Sequence, residues 1–93
     1  MPVYVDELIN YGAGEKAPRC FRNTESCHMY ADTLDELHAM AIRIGMKKSW
    51  FQNHRFLPHY DLVKSKRALA VSAGAIEHSR REMINFSRTR RQS

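Results

Sequence analysis

Three features of the sequence predict an α/β fold. Short β-favouring runs end in polar residues, at Pro2-Val3-Tyr4-Val5, Cys27–Ala31 and His59–Val63. Helix-start signals follow directly after the second and third runs, at Thr33 and Ser65. Glycines stand where those helices should stop, Gly45 and Gly74. The expected architecture is a small mixed sheet of four or five strands packed with two helices.

The first strand covers Pro2–Val5 and ends at Asp6. Residues 10–26 hold Gly12, Gly14, Pro18 and scattered charge without a sustained period, which predicts a long loop. Cys27–Ala31 is the second strand. The helix after it has the firmest signature. Thr33 and Glu36 form a capping box, Asp35 and Glu36 suit the positive end of the dipole, and Leu34, Leu37, Ala41 and Ile44 make one apolar stripe. Ser49–Gln52 predicts a further strand, and Asn53–Pro58 a loop. His59–Val63 then runs into a helix capped by Ser65, with Leu69 and Ala73 on its buried side. Ala75–His78 is the last short strand. The units 27–45 and 59–74 share an order of elements but not a spacing close enough to be a repeat.

One domain, residues 1–79, and a basic C-terminal tail, residues 80–93, account for the 93 residues and the net charge of +5. The tail has five arginines against Glu82, whereas the rest has ten Lys/Arg against nine Asp/Glu. Such a tail either solubilises the chain or holds a nucleic-acid backbone without reading its sequence. No apolar run reaches the roughly 18 residues of a membrane span, and the N-terminus lacks a signal-peptide pattern. A cytoplasmic setting is expected, with no membrane partner. Cys20 and Cys27 do not make a disulfide framework.

The polar chemistry gathers at two strand-to-helix junctions, where small α/β proteins place ligands. His28 and Asp32 belong to the first; His59, Asp61, Lys66 and Arg67 to the second. Lys66 and Arg67 stand in a first helical turn, where positive charge is unfavourable unless an anion joins it. A salt bridge to Asp61 is the structural alternative. His59 and Asp61 alternate about Tyr60, so both point to one face of a strand and can orient an imidazole or ligate a metal. Asp32 also suits a helix cap. His38 lies on the apolar stripe and reads as a satisfied core residue. Asp6 is a further carboxylate at a strand end. Trp50, Phe51 and Tyr60 read as core rather than as a base-stacking platform. Cys20, Cys27 and the histidines supply enough zinc donors, but without a zinc-finger spacing, and the leading reading assigns no metal ligand. There is no nucleophile elbow and no phosphate loop.

Tyr4-Val5-Asp6, Cys27-His28-Met29 with Ala31-Asp32, Glu36-Leu37-His38, Trp50, His59-Tyr60-Asp61 and Ser65-Lys66-Arg67 together resemble a family of short phage, prophage and bacterial proteins classed as a domain of unknown function. The resemblance spans residues 3–76, with the 12–26 loop and the tail looking peculiar to this chain. It implies a phage or prophage setting and no activity or cofactor. Three functions stay open. The leading one binds a phosphate-bearing ligand, a nucleotide or nucleic-acid end, through His28, Asp32, His59, Asp61, Lys66 and Arg67. The second is a metal-dependent phosphodiester hydrolase, in which Asp6, Asp32 and Asp61 with His28 or His59 hold the ion. The third is a phage protein that binds and inhibits a host protein. Whether the chain is an enzyme is left open.

Overall fold

The computed structural model describes residues 2–10 and 25–92. Cys20 and most of the loop expected over residues 10–26 lie outside the described residues. Five described strands build the sheet: β1 (Val3–Val5), β2 (Ile9–Asn10), β3 (Glu25–Ala31), β4 (Tyr60–Val63) and β5 (Ile76–Glu77). Three α-helices accompany them: α1 (Leu34–Arg43), α2 (Lys64–Ser72) and α3 (Arg80–Gln92). The small mixed-sheet α/β class is the one expected, with one helix more.

The long strand β3 organises the rest. Ser26 pairs with Ile9 on one side and Val63 on the other, and Met29 with Val5 and Tyr60. β1 and β2 therefore share one flank of β3, and β4 takes the other. All three run antiparallel to β3, while β5 adds to β1 in parallel. The five strands thus fill four positions. Between Val5↔Met29 and Ile9↔Ser26 the register slips by one, so Asp6, Glu7 and Leu8 face only Cys27 and His28. This is a β-bulge, which re-aims side chains locally.

Alternation then sorts the two faces. Val3, Val5, Cys27, Met29, Ala31, Tyr60 and Leu62 point to one face and form the core with Leu37, Ala41 and Ile44 of the α1 segment and Ala70 of α2. Tyr4, His28, Tyr30 and Asp61 hold the other. There α3 packs Phe86 against Tyr30 and Tyr4, at centroid distances of 4.9 and 5.3 Å. His78 stacks on Tyr4 at 4.4 Å and shares a 2.7 Å hydrogen bond with the Tyr30 hydroxyl.

Local chemistry explains the helix ends. Thr33 caps α1 by accepting from the Glu36 amide at 3.2 Å, while its hydroxyl donates to the Glu36 carboxylate at 2.8 Å. Gly45 closes α1 at φ +83°, the left-handed region that favours glycine. α2 begins two residues earlier than expected. β4 passes straight into it at Val63, without a side-chain cap, so Ser65 lies inside the first turn.

Several expectations are corrected. Ser49–Gln52 is a 3-10 turn over Lys48–Trp50 followed by an isolated bridge between Gln52 and His59. Trp50 is 48% exposed, with the Lys47 ammonium over its ring. Leu34 and Leu69 are 43% and 49% exposed, because α1 and α2 meet the sheet through Leu37, Ala41 and Ala70 instead. The basic segment after residue 79 is a helix on the sheet rather than a tail. Ser79 and Glu82 cap it reciprocally, and Met83 and Phe86 supply its inward side.

The leucines of α1 give a direct check. Leu37→Ala should cost about 2–5 kcal/mol in urea denaturation, and Leu34→Ala about 1 kcal/mol or less. Equal losses would mean that α1 is rotated about its axis from the arrangement described.

Candidate metal centre

His28 occupies the middle of β3, directly opposite Asp61 on β4. Cross-strand partners share a face, and so do residues two apart on one strand. Asp61 therefore stands beside His28, and His59, two residues before it, joins them. The His28 and His59 rings meet edge-on at 4.8 Å. His59 Nε2 lies 3.4 Å from Asp61 Oδ1. One ligand atom each from His28, His59 and Asp61 lies within 4.8 Å of the others.

Both imidazoles are oriented from behind. His59 Nδ1 is 2.6 Å from the Leu57 carbonyl, which only accepts, so Nδ1 carries the proton and Nε2 faces the cluster. Closure of the loop by paired bonds between Gln52 and His59, at 2.9 and 3.1 Å, holds that backbone. His28 Nδ1 is 2.8 Å from Asp6 Oδ2, so Nε2 is the nitrogen His28 presents to a ligand. A carboxylate behind a histidine is the usual outer support of a metal-ligating imidazole. On the far side of Asp61, the Gln52 amide donates to Oδ2.

Asp6 has this position because of the bulge. Its amide donates to the His28 carbonyl at 3.2 Å, as a regular ladder requires. The return bond from the His28 amide goes to the Asp6 carboxylate at 2.7 Å, not to its carbonyl. The freed carbonyl accepts from Arg67 Nε at 2.9 Å. Asp6 is only 1% exposed, so each of these partners matters.

Opposing effects set the protonation of the cluster. Burial alone would lower the His59 pKa, but the hydrogen bond to Asp61, the Leu57 carbonyl and the charges of Asp61 and Asp6 hold it above the ordinary imidazole value. Burial alone would raise Asp61, yet His59, then His28 and Gln52, hold it below the ordinary carboxylate value. Burial, and next the Asp6 charge, push the Cys27 thiol up to about 12. It is thus an unreactive core group rather than a nucleophile.

Of the six residues expected at one site, the structure brings together His28, His59 and Asp61. Asp32 is exposed and accepts from the Tyr4 hydroxyl at 3.3 Å. It lies four residues from His28, about 13 Å along a strand. Lys66 reaches the other way, donating to the Ile44 carbonyl at the negative end of α1 at 3.0 Å. Arg67 is bound to Asp6 and to Glu77, the latter at 3.0 Å, and not to Asp61. His38 shares a 2.7 Å hydrogen bond with the Tyr60 hydroxyl between α1 and β4. Asp6, expected as a carboxylate at a strand end and as an ion ligand in the hydrolase alternative, instead stands behind His28, and Gln52 was not expected at the site. An aspartate closing an apolar strand was the available signal for the first; nothing marked the second.

Fold and site define a small α/β domain with a two-imidazole, one-carboxylate cluster on the sheet face that carries α3. Over residues 3–90 the chain matches a family described as a protein of unknown function, DUF4031. It belongs to that family. No curated protein and no solved structure matches it. The family match extends beyond the expected limit at residue 76, so most of α3 falls within it.

The pKa directions fix the sign of a pH effect. His59 stabilises the fold below the ordinary imidazole value, and loses that contribution as pH rises through its raised pKa. Asp61 stabilises above the ordinary carboxylate value, and loses its contribution as pH falls through its lowered pKa. The stability gap between wild type and Asp61→Asn should therefore be widest between pH 3.8 and 6.5. In NMR titration the His59 midpoint should lie above 6.5 in wild type and fall in that variant. An unchanged midpoint would remove Asp61 as its partner.

Proposed function

We propose that the protein binds one divalent transition-metal ion through His28, His59 and Asp61 and hydrolyses phosphate diesters with it. The supporting observation is the gathering of three donors within 4.8 Å, from two strands far apart in sequence. Zinc–nitrogen bonds of about 2.0–2.1 Å at tetrahedral angles place donors about 3.4 Å apart. The His59–Asp61 separation of 3.4 Å already meets that, and modest χ rotations bring His28 in. Two imidazoles with one carboxylate favour Zn²⁺ over Mg²⁺ and Ca²⁺, which prefer all-oxygen sets.

Three protein ligands leave a coordination position for water or substrate. When bound, the ion supplies a Lewis acid and lowers the pKa of a coordinated water. The chain's own groups do the rest. His28 and His59 present Nε2 because Asp6 and the Leu57 carbonyl hold the opposite nitrogens, and Gln52 fixes the Asp61 carboxylate. Hydrolysis adds one water across a P–O bond: its oxygen joins phosphorus, the ester oxygen leaves, and a proton ends on the released alcohol. The net positive charge of the chain favours a phosphate substrate. Lys66 and Arg67, committed to intramolecular partners, take no part in gripping it. Among the described residues no helix is long and apolar enough to cross a membrane; a cytoplasmic setting belongs to the same proposal.

Isothermal titration with Zn²⁺ or Mn²⁺ should show one site per chain, and Co²⁺ should give a visible ligand-field spectrum. Bis(p-nitrophenyl) phosphate should be hydrolysed with metal and not with EDTA. Asp6→Asn should weaken metal binding or activity by about 10–100-fold, and Asp61→Asn by more. No heat, no spectrum and no stabilisation with any of these ions would overturn the proposal. So would hydrolysis that is insensitive to Asp61→Asn.

A further inference from the structure

Among the described phenylalanine, tyrosine and tryptophan side chains, only that of Trp50 is exposed. Tryptophan is among the side chains a small domain gains most by burying, so an indole left half in water is informative. Its surroundings are cationic. From Leu37 to Tyr60 the chain has Arg43, Lys47, Lys48 and Arg55 and no aspartate or glutamate. Lys47 and Lys48 are exposed at the start of the 3-10 turn that ends at Trp50, and the Lys47 ammonium stands 5.6 Å from the indole centroid. Among the described residues neither lysine is in a salt bridge. An open aromatic ring beside lysines free of carboxylates is the combination that holds a base and its phosphate without reading sequence.

Strand pairing sets this platform next to the candidate metal centre. Gln52 is bridged to His59 in the antiparallel sense, and one step back puts Phe51 against Tyr60, whose rings meet at 5.5 Å. Phe51 is extended, so the following step brings Trp50 to the Asp61 end of that pairing. Gln52 is two residues from Trp50, at most about 7 Å along the backbone, and its side chain donates to the Asp61 carboxylate. A nucleoside adjoining a phosphate at the cluster is therefore within reach of the indole. The inner bases of a duplex are stacked on both faces already; an unpaired base has a face to give.

We infer that Trp50, with Lys47 and Lys48, forms a base-stacking subsite for single-stranded nucleic acid whose neighbouring phosphodiester lies at His28, His59 and Asp61. This names the substrate class of the hydrolase reading and rests on that reading for the cleavage step. Stacking on Trp50 needs no ion.

Trp50 is the chain's one tryptophan, so its fluorescence reports this subsite alone. Titration with a deoxythymidylate 10-mer in EDTA should quench it saturably. In fluorescence anisotropy with the labelled 10-mer, Trp50→Ala should bind about tenfold more weakly, and Trp50→Phe should recover part of the loss. Lys47→Ala/Lys48→Ala should lower the salt slope by about 1.4, since each single-strand phosphate contact contributes about 0.7. All three variants should keep the wild-type thermal midpoint, because the replaced side chains are exposed. With Zn²⁺, thymidine 5′-(p-nitrophenyl phosphate) should be hydrolysed with a kcat/KM about tenfold above that of methyl p-nitrophenyl phosphate, and Trp50→Ala should remove that preference. Hydrolysis of the methyl ester without quenching and without the thymidine preference would overturn the subsite and spare the hydrolase; quenching without hydrolysis of either ester would do the reverse. Quenching by a duplex 10-mer as strong as by the single strand would also overturn the subsite. So would a blue shift of Trp50 on phosphatidylserine vesicles with no response to the oligonucleotide.

Discussion

Asp6 sits where β1 leaves its register with β3, and its carboxylate does what a backbone carbonyl would do in an unbroken ladder. It accepts from the His28 amide at 2.7 Å and meets the His28 ring at 2.8 Å. The carbonyl displaced by this exchange accepts from Arg67, which in turn reaches Glu77 on β5. One buried residue thus ties β1, β3, α2 and β5 together. Hydrogen bonds to charged groups contribute about 1.5–3 kcal/mol each, and stranding a buried partner costs more than the bond gained. The bulge, the orientation of His28 and the engagement of Arg67 therefore depend on the same carboxylate.

That constraint divides the molecule in two. On the α1/α2 face, Cys27, Met29, Tyr60 and Leu62 pack with Leu37, Ala41 and Ala70, and the chemistry is apolar. On the α3 face, Tyr4, Tyr30, His78 and Phe86 form an aromatic stack at one end of the sheet, and His28, His59 and Asp61 lie beside it. A sheet buried on one side by two helices and only partly covered on the other leaves polar side chains accessible without needing a large chain. The aromatic stack anchors α3 on that face.

Features fixed by local chemistry were legible in the sequence, and features fixed by pairing between distant strands were not. The capping box at Thr33 and Glu36, the glycine at position 45 and the strand runs of 27–31 and 59–63 depend on neighbours within a few residues. The alternation of His59, Tyr60 and Asp61 correctly put Tyr60 in the core and its neighbours on one face. That His28 is the cross-strand partner of Asp61 depends on a register that a one-residue slip would reverse. The sequence contains no statement of that register. α3 was hidden by its composition: arginine density reads as a loose terminus, while Met83 and Phe86 give it only a narrow apolar side. Lys66 and Arg67 misled for a physical reason. Their unfavourable place in a first turn is relieved by the carbonyls of Ile44 and Asp6, partners on other elements. Trp50 misled because size alone does not bury a side chain.

The same geometry separates a cation site from an anion site. Asp6 and Asp61 bring two carboxylates to the imidazole pair, and the two cationic heads expected there are turned onto backbone carbonyls. An anion entering directly would meet acceptors; a metal ion would meet one carboxylate and two lone pairs. Burial would lower the His59 pKa, but the hydrogen bonds to Asp61 and the Leu57 carbonyl and the charges of Asp61 and Asp6 raise it, so the cluster attracts positive charge. Metal ligation requires the proton on His59 Nε2 to leave. Under the metal-binding proposal, the His59–Asp61 contact is the protonated form of the site that an ion would occupy.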